Sequence, residues 1–444
     1  MFRKPFSVRF DKKNLSKLFF LLIICTAAGC INQAAKPALT ASEVIVFRSP
    51  AAENVFCYSP ALLVLPSGRI LASFDLGGPG AAQLPGAKTA EYANGRIKFQ
   101  NRIMYSDDQG RSWTLADSLP MLHARFFLDG NRIYIIGHDK GIAISVSKDE
   151  GKHWSPVKIL DNSTLWHQAP CAIHYEDGYV FLTMERSTGP SWPDVAPVML
   201  GGQLGKDLLD RKNWIFSNTL HYPEKQSSTL GIPFYRHGLL TPQKKDKRFC
   251  GKPCYLESHV VKIHDKNHNL YEKNTLHVWM RQHSGLTNIA AMAKCRFDPK
   301  NKILKMEFIR TPADALMLHT PFPGGHLKFH VVYDEKSQYY WLVCTQSADS
   351  MTRPDALPDD RYNLPDNERH RLALYFSKNM FDWCFAGMIA NETNPKCSRN
   401  YPFMAVSGND LLIFCRSGDQ HAQSAHNGNL LTLHKVSDFR SLIY

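Results

Sequence analysis

The sequence predicts an all-β fold, a six-bladed β-propeller of four-stranded antiparallel blades. Three observations predict it. Short strand-like runs recur from residue 43 to the C-terminus, tight-turn signals separate them, and one turn motif occurs twice at a spacing of 41 residues. No long amphipathic helical pattern interrupts the series.

The N-terminus stands apart from this pattern. Arg3, Lys4, Arg9, Lys12, Lys13 and Lys17 form a basic leader, and LFFLLIIC follows as an apolar run too short to span a bilayer stably. It ends in TAAGC, small residues before Cys30. This end resembles the lipobox of bacterial lipoproteins, with Ala27 where leucine is usual. The resemblance implies export to the cell envelope and a lipid anchor at Cys30, or else secretion after cleavage nearby. Residues 1–30 are therefore read as a signal peptide, 31–42 as a linker and 43–444 as one propeller domain.

The strand-like runs follow in order: EVIVF, ALLVL, RILASF, RIMYS, NRIYIIG, IAISVS, YVFLTM, TLHVWM, KFHVVYD, YYWLVC, RLALYFS, DLLIFC and NLLTLHKV. β-Branched, aromatic and Leu residues make up most of them, as half-buried pleated surfaces require. PSG, DQG, LDGN, EDG and SGND mark the turns between. The basic, strandless segment 242–252 reads as a loop over one face. SDDQGRSW at 106–113 and SKDEGKHW at 147–154 both fit S-x-D-x-G-x-x-W, and SKNMFDW at 377–383 is a shortened variant. In this motif Asp bonds its own backbone to fold a tight turn, Gly takes the left-handed position, and Trp packs between neighbouring sheets. About 400 residues at roughly 65 per blade make six blades, with seven as the next count. NLLTLHKV and EVIVF would close one blade together.

Composition narrows function. The formal charge is +13, of which six basic residues and Asp11 in the first 30 account for +5. The remaining excess suits an anionic ligand, and no Lys/Arg block marks nucleic-acid binding. Nine of the 11 cysteines follow residue 30, an odd number that leaves one unpaired in a monomer. Cys250 and Cys254 are spaced for a small local disulfide, and most others lie in buried-strand patterns.

The repeated turn resembles the Asp-box of the sialidase superfamily, which implies the propeller fold; the motif lies on outer turns and says nothing about catalysis. In that family a glutamate polarises a tyrosine that attacks the anomeric carbon, an aspartate acts as acid/base, and three arginines grip the substrate carboxylate. LESHVVKI followed by LHVWMRQHSG resembles the strands bearing the glutamate and the second arginine, nominating Glu257 and Arg281. NYPFMAVSGNDLLIF resembles the strand opened by the nucleophile, nominating Tyr401. A phenol with a pKa near 10 is a poor nucleophile alone, so a neighbouring carboxylate is chemically required.

The sequence also departs from the family. The first-arginine position holds Tyr58, with Arg48 as a displaced candidate, and no third arginine is found near HTPFPGGH. Asp75 and Glu91 are the candidate acid/base residues between the first strand pair and Ser106. GGHLKFHVVY reads as a strand with His326, Lys328 and His330 on one face, suited to an anionic sugar or to acid/base work. Further polar residues at strand ends and their loops are His167, Glu185, Arg186, His123, Arg125, Arg416, His421 and His426, of which His167, Arg186 and Arg416 are nominated to bind substrate with Arg281.

The expectation is an exported, monomeric, sialidase-like glycoside hydrolase acting on an anionic or modified terminal sugar, with a glycan as its partner and without a cofactor. No metal is expected, because His326 and His330 lack a third ligand. A polysaccharide lyase on a propeller scaffold and a non-catalytic carbohydrate-binding lipoprotein are the alternatives.

Overall fold

Strand-forming runs pair with their successors through tight turns to give six antiparallel sheets of four or five strands. The computed structural model describes residues 39–40, 43–84, 88–92, 95–190, 194–223, 254–283, 287–349 and 368–444, with side chains between 85 and 98 set aside. Residues 37–444 form one compact unit. The segment 242–252, Cys250 and Cys30 lie outside the described residues.

Blade 1 contains Phe56–Val64, Ile70–Gly77, Gly95–Ser106 and Thr114–Leu119, with Lys88–Tyr92 added to its long third strand. Blade 2 contains Leu122–Asp129, Arg132–His138, Ile142–Ser147 and Lys158–Asp161. Blade 3 has a split first strand, Trp166–His167 and His174–Glu176, then Tyr179–Ser187, Val195–Gln203 and Trp214–Phe216. Blade 4 contains Cys254–Val261, Thr275–His283, Ile289–Asp298 and Ile303–Glu307. Blade 5 contains His330–Asp334, Tyr339–Thr345, Arg371–Ser377 and Cys384–Asn391. Blade 6 contains Arg399–Ser407, Asp410–Ser417 and Leu430–Val436, and Glu43–Arg48 pairs with the last of these. The N-terminal strand thus closes the ring, as the sequence predicts.

The core is divided among the blade interfaces. Six apolar clusters occur, one between each pair of neighbouring blades. Leu62, Phe74, Phe414 and Leu433, for example, join blade 1 to blade 6. Each large apolar side chain so buried contributes roughly 1.5–3 kcal/mol, so every interface helps to hold the ring closed.

The repeated turns link third and fourth strands. Asp108 Oδ1 accepts the Ser112 N–H at 2.9 Å, and Trp113 Nε1 donates to the Gly110 carbonyl at 3.0 Å. The second copy repeats this with Asp149, His153, Trp154 and Gly151. In the variant, Asn379 replaces the aspartate and Met380, at φ 65°, replaces the glycine. A Cβ on Gly151, at φ 82°, would meet Leu71 Cδ1 of the preceding blade at 2.7 Å. The motif therefore packs one blade against the last, away from the channel.

One strand expectation is corrected. Residues 323–326 form a turn, and the strand begins only at His330. Gly324, at φ 65° and packed on Cys344, reverses the chain there. His326, Lys328 and His330 therefore do not share a strand face, although all three are buried.

Candidate active site

The first strand of four blades carries the same irregularity. Register slips in these strands between Tyr58 and Ala61, Leu122 and Arg125, Leu256 and His259, and Asn400 and Phe403. In each gap one non-glycine residue is left-handed: Ser59 (φ 50°), His123 (52°), Glu257 (56°) and Tyr401 (50°). Such a conformation costs on the order of 1–3 kcal/mol and persists only where its surroundings enforce it. A bulge releases its residue from the ladder and re-aims the side chain, which explains how a strand presents Glu257. Blade 3 interrupts its first strand after His167 instead.

The second strands supply the opposing ring. The residue before each bulge pairs with a polar residue near the end of the second strand: Tyr58 with Asp75, Leu122 with His138, Leu256 with Arg281, and Asn400 with Arg416. His167 pairs with Glu185 in the same way. Two of these carboxylates hold a bulge in the following blade. Asp75 Oδ2 accepts the His123 N–H at 2.8 Å. Glu185 Oε1 accepts the N–H groups of Glu257 and, at 3.3 Å, of Ser258.

At the centre, Tyr401 Oη donates to Glu257 Oε1 at 2.6 Å, and Arg281 Nη1 lies 3.0 Å from the same phenol oxygen. Arg281 also reaches Glu257 Oε2 at 3.3 Å, and its Nε donates to the His326 carbonyl at 3.0 Å. Arg416 stacks with Cζ 3.9 Å from the Tyr401 ring centroid and 4.7 Å from that of Tyr58. Arg369 Cζ lies 5.7 Å from the Tyr401 ring centroid. Burial, then the Glu257 charge, raises the Tyr401 pKa above that of a free phenol. Burial opposes the charge on Arg281, but Glu257 and Tyr401 outweigh it and hold its pKa above the usual guanidinium value.

These groups surround a cleft of about 290 Å³, lined by Tyr58, His123, His167, Glu257, Tyr401 and Arg416 among others. Arg416 is the guanidinium that faces it. Its Nη1 contacts the His426 carbonyl at 3.4 Å, and among the described residues its Nε has no partner and it makes no ion pair. Burial lowers its pKa, as expected for a desolvated cation. Later residues of the same first strands line a larger cavity of about 360 Å³, mainly aliphatic and aromatic, without the Glu257–Tyr401 pair.

Glu257, Arg281, Tyr401, His167, Glu185, Arg416, His123 and His426 converge, and several other sequence candidates do not. Arg48 is 52% exposed and paired with Asp419, so it cannot replace the arginine absent at Tyr58. Arg369 and Arg416 instead stand beside Tyr401; the sequence nominates Arg416 and misses Arg369. Arg186 is exposed because strand alternation turns it opposite to the buried Glu185. His421 is also exposed. Glu91 lies on Lys88–Tyr92, with its side chain outside the described residues. Asp75 is fully buried and does not line the cleft, and burial raises its pKa to about 7 against hydrogen bonds from His123, Asn101 and Ser59. His326 is held by the Asn288 N–H, with its pKa lowered to about 3 mainly by burial. Lys328 donates to the Pro402 carbonyl and lines neither cavity, and burial lowers its pKa to about 8. His330 opens on the other cavity, and Arg125 is spent on the carbonyls of Cys171 and Thr183.

A sequence signal for the second ring exists. RILASFD, RIYIIGH, YVFLTME, TLHVWMR, YYWLVCT and DLLIFCR are six seven-residue runs, each ending in one polar residue. Those residues are Asp75, His138, Glu185, Arg281, Thr345 and Arg416. Aligning the runs by blade would have nominated five polar members of the site or its supports together.

No protein-family model matches the sequence, and no curated protein matches it. Solved structures are similar in fold. A protein of unknown function from Dyadobacter fermentans is 12% identical, with a TM-score of 0.51 over 90% of this chain and 98% of its own. A mutant of Trypanosoma rangeli sialidase displaying trans-sialidase activity is 12% identical, with a TM-score of 0.50 over 91% of this chain and 61% of its own. An α-L-arabinanase of Penicillium chrysogenum complexed with arabinobiose is 12% identical, with a TM-score of 0.49 over 90% of this chain and 98% of its own. At such identity the likeness is one of fold.

Proposed function

We propose that this protein is an exported glycoside hydrolase, a divergent relative of the sialidases, that removes an anionic terminal sugar through a tyrosine nucleophile. The observation that carries this reading is the 2.6 Å hydrogen bond from Tyr401 to Glu257, beside a cleft and against Arg281. As Tyr401 Oη attacks the anomeric carbon, its proton passes to Glu257 Oε1. Negative charge then moves between the two groups rather than being created in a buried site. Arg281 stabilises both ends of that transfer.

Arg416 supports the anionic substrate. A buried guanidinium facing a cleft without a carboxylate partner is poised to take one from a ligand, and a planar fork is suited to that contact. The basic leader and TAAGC support export, with Cys30 as the anchor point.

The test is turnover of 4-nitrophenyl glycosides of N-acetylneuraminic acid and glucuronic acid, with products followed by NMR. Hydrolysis with net retention at the anomeric carbon is the expected result, because two displacements restore configuration. A 4-O-linked oligouronide is offered in parallel, and an unsaturated, ultraviolet-absorbing product from it would establish a lyase instead. Binding without turnover, unchanged in Tyr401→Phe, would establish a lectin.

A further inference from the structure

A hydrolase of this kind needs an acid to protonate the leaving oxygen, and Asp75 is fully buried and does not line the cleft. We infer that His167 is the acid/base residue, oriented by Glu185, an assignment that rests on the Tyr401 reading above. Four observations lead to it. His167 lines the cleft and retains 12% exposure, whereas Asp75 is at 0%. His167 Nδ1 lies 2.6 Å from Glu185 Oε2, and since a carboxylate only accepts, the ring donates there. That fixes Nε2 as the nitrogen whose proton can be transferred, while the carboxylate stabilises the imidazolium.

Position is the third observation. His167 belongs to blade 3 and Tyr401 to blade 6, and blades three apart in a six-bladed ring face each other across the axis. Acid and nucleophile thus approach a bound sugar from opposite walls. The fourth is the weakness of the competing ring. His123 also lines the cleft, but its Nδ1 lies 3.1 Å from His138 Nε2. Burial, then its proximity to His167 and Arg416, pushes its pKa well below the ordinary value. Titratable groups around His167 include Glu185 on its own blade and His123 and His138 on blade 2, at ring separations of 5.3 and 5.8 Å, and Glu257, Tyr401 and Arg416 line the same cleft.

Glu185 then has two tasks. Oε2 orients the acid, and Oε1 holds the Glu257 bulge that presents the partner of the nucleophile. In the first half-reaction Tyr401 Oη bonds to the anomeric carbon as the bond to the leaving oxygen breaks. The phenolic proton goes to Glu257, and His167 Nε2 protonates the leaving alcohol. In the second, water attacks the anomeric carbon and gives a proton to His167, while Tyr401 leaves and recovers its proton from Glu257.

The experiment compares His167→Gln with wild type on methyl and 4-nitrophenyl glycosides of N-acetylneuraminic acid and glucuronic acid. The methyl glycoside needs acid assistance and should lose about 10²–10⁴-fold in kcat/KM, while the nitrophenyl glycoside should lose less than about tenfold. Added azide should restore turnover of the nitrophenyl substrate and yield a glycosyl azide. Equal losses on both glycosides without azide rescue would overturn the assignment. A glycosyl fluoride needs no acid, so covalent labelling of Tyr401 by a fluorinated glycosyl fluoride in His167→Gln shows an intact site. If wild-type Tyr401 is not labelled, the nucleophile reading fails first. If it is labelled and His167→Gln is unimpaired, only this inference fails.

Discussion

Replacing Glu257 by glutamine removes a proton acceptor while keeping a hydrogen-bonding oxygen of similar size. Tyr401 would then have to ionise unaided, and a phenol with a pKa near 10 is at most about 0.1% ionised at pH 7. Burial raises the Tyr401 pKa further in the native site. General-base assistance across a 2.6 Å hydrogen bond is therefore worth about 10²–10⁴ in kcat, or roughly 3–5 kcal/mol of barrier. Arg281, 5% exposed, loses its carboxylate at the same time. Breaking a buried pair costs up to about 3–5 kcal/mol, and the retained amide oxygen places this variant at or below the low end. The assay is kcat on a 4-nitrophenyl sugar acid between pH 6 and 9, with thermal unfolding as a control for folding. The variant should lose 10²–10⁴-fold near pH 7 and then recover about tenfold per pH unit, because solvent must now ionise the phenol. A folded variant within about threefold of wild type, or one slowed by the same factor at every pH, would refute the reasoning.

Arg416→Met should raise KM for a sugar acid by roughly 10–150-fold, the worth of a charged hydrogen bond, and leave a carboxamide analogue little changed. Steady-state kinetics on the matched pair checks this. Asp75→Asn should show a pH-dependent change in stability. Asp75 is raised to about 7 in the fold and ionises near 4 when unfolded, so its ionisation costs stability as pH rises through about 4 to 7. The variant escapes that cost and should gain on wild type by up to about 4 kcal/mol across the window, measured by urea unfolding at pH 4 and pH 8. Gly151→Ala should destabilise by about 2–4 kcal/mol, combining left-handed strain with overpacking on Leu71. Gly130→Ala, at φ 62° with no neighbour within 4 Å, should cost only about 1–2 kcal/mol.

The propeller was legible because its signals are local. Apolar runs, Gly turns and S-x-D-x-G-x-x-W each act within a few residues; the apolar runs recur in all six blades and the motif in two, with a variant in a third. Glu257 and Tyr401 were legible only through resemblance, because nothing local marks a bulge. The left-handed backbone at Glu257 is enforced by Glu185, a residue 72 positions away on another blade. HLKFH misled because its alternation imitates a strand, while Gly324 turns the chain just before it. Arg369 was invisible because it precedes Arg371–Ser377 in a segment without pattern and reaches Tyr401 only through blade packing. Tyr58 and Arg416 show the same limit. The sequence shows an arginine missing from blade 1, and only the fold shows another guanidinium stacked between Tyr58 and Tyr401.

The central claim is that Tyr401 is the nucleophile. The most direct measurement is mass spectrometry of the intact and digested protein after incubation with a 3-fluorosialyl fluoride and, separately, with a fluorinated glucuronyl fluoride. The account predicts a stoichiometric glycosyl adduct on the peptide containing Tyr401, absent in Tyr401→Phe. An active protein that forms no adduct, or one labelled at a residue other than Tyr401, would contradict it.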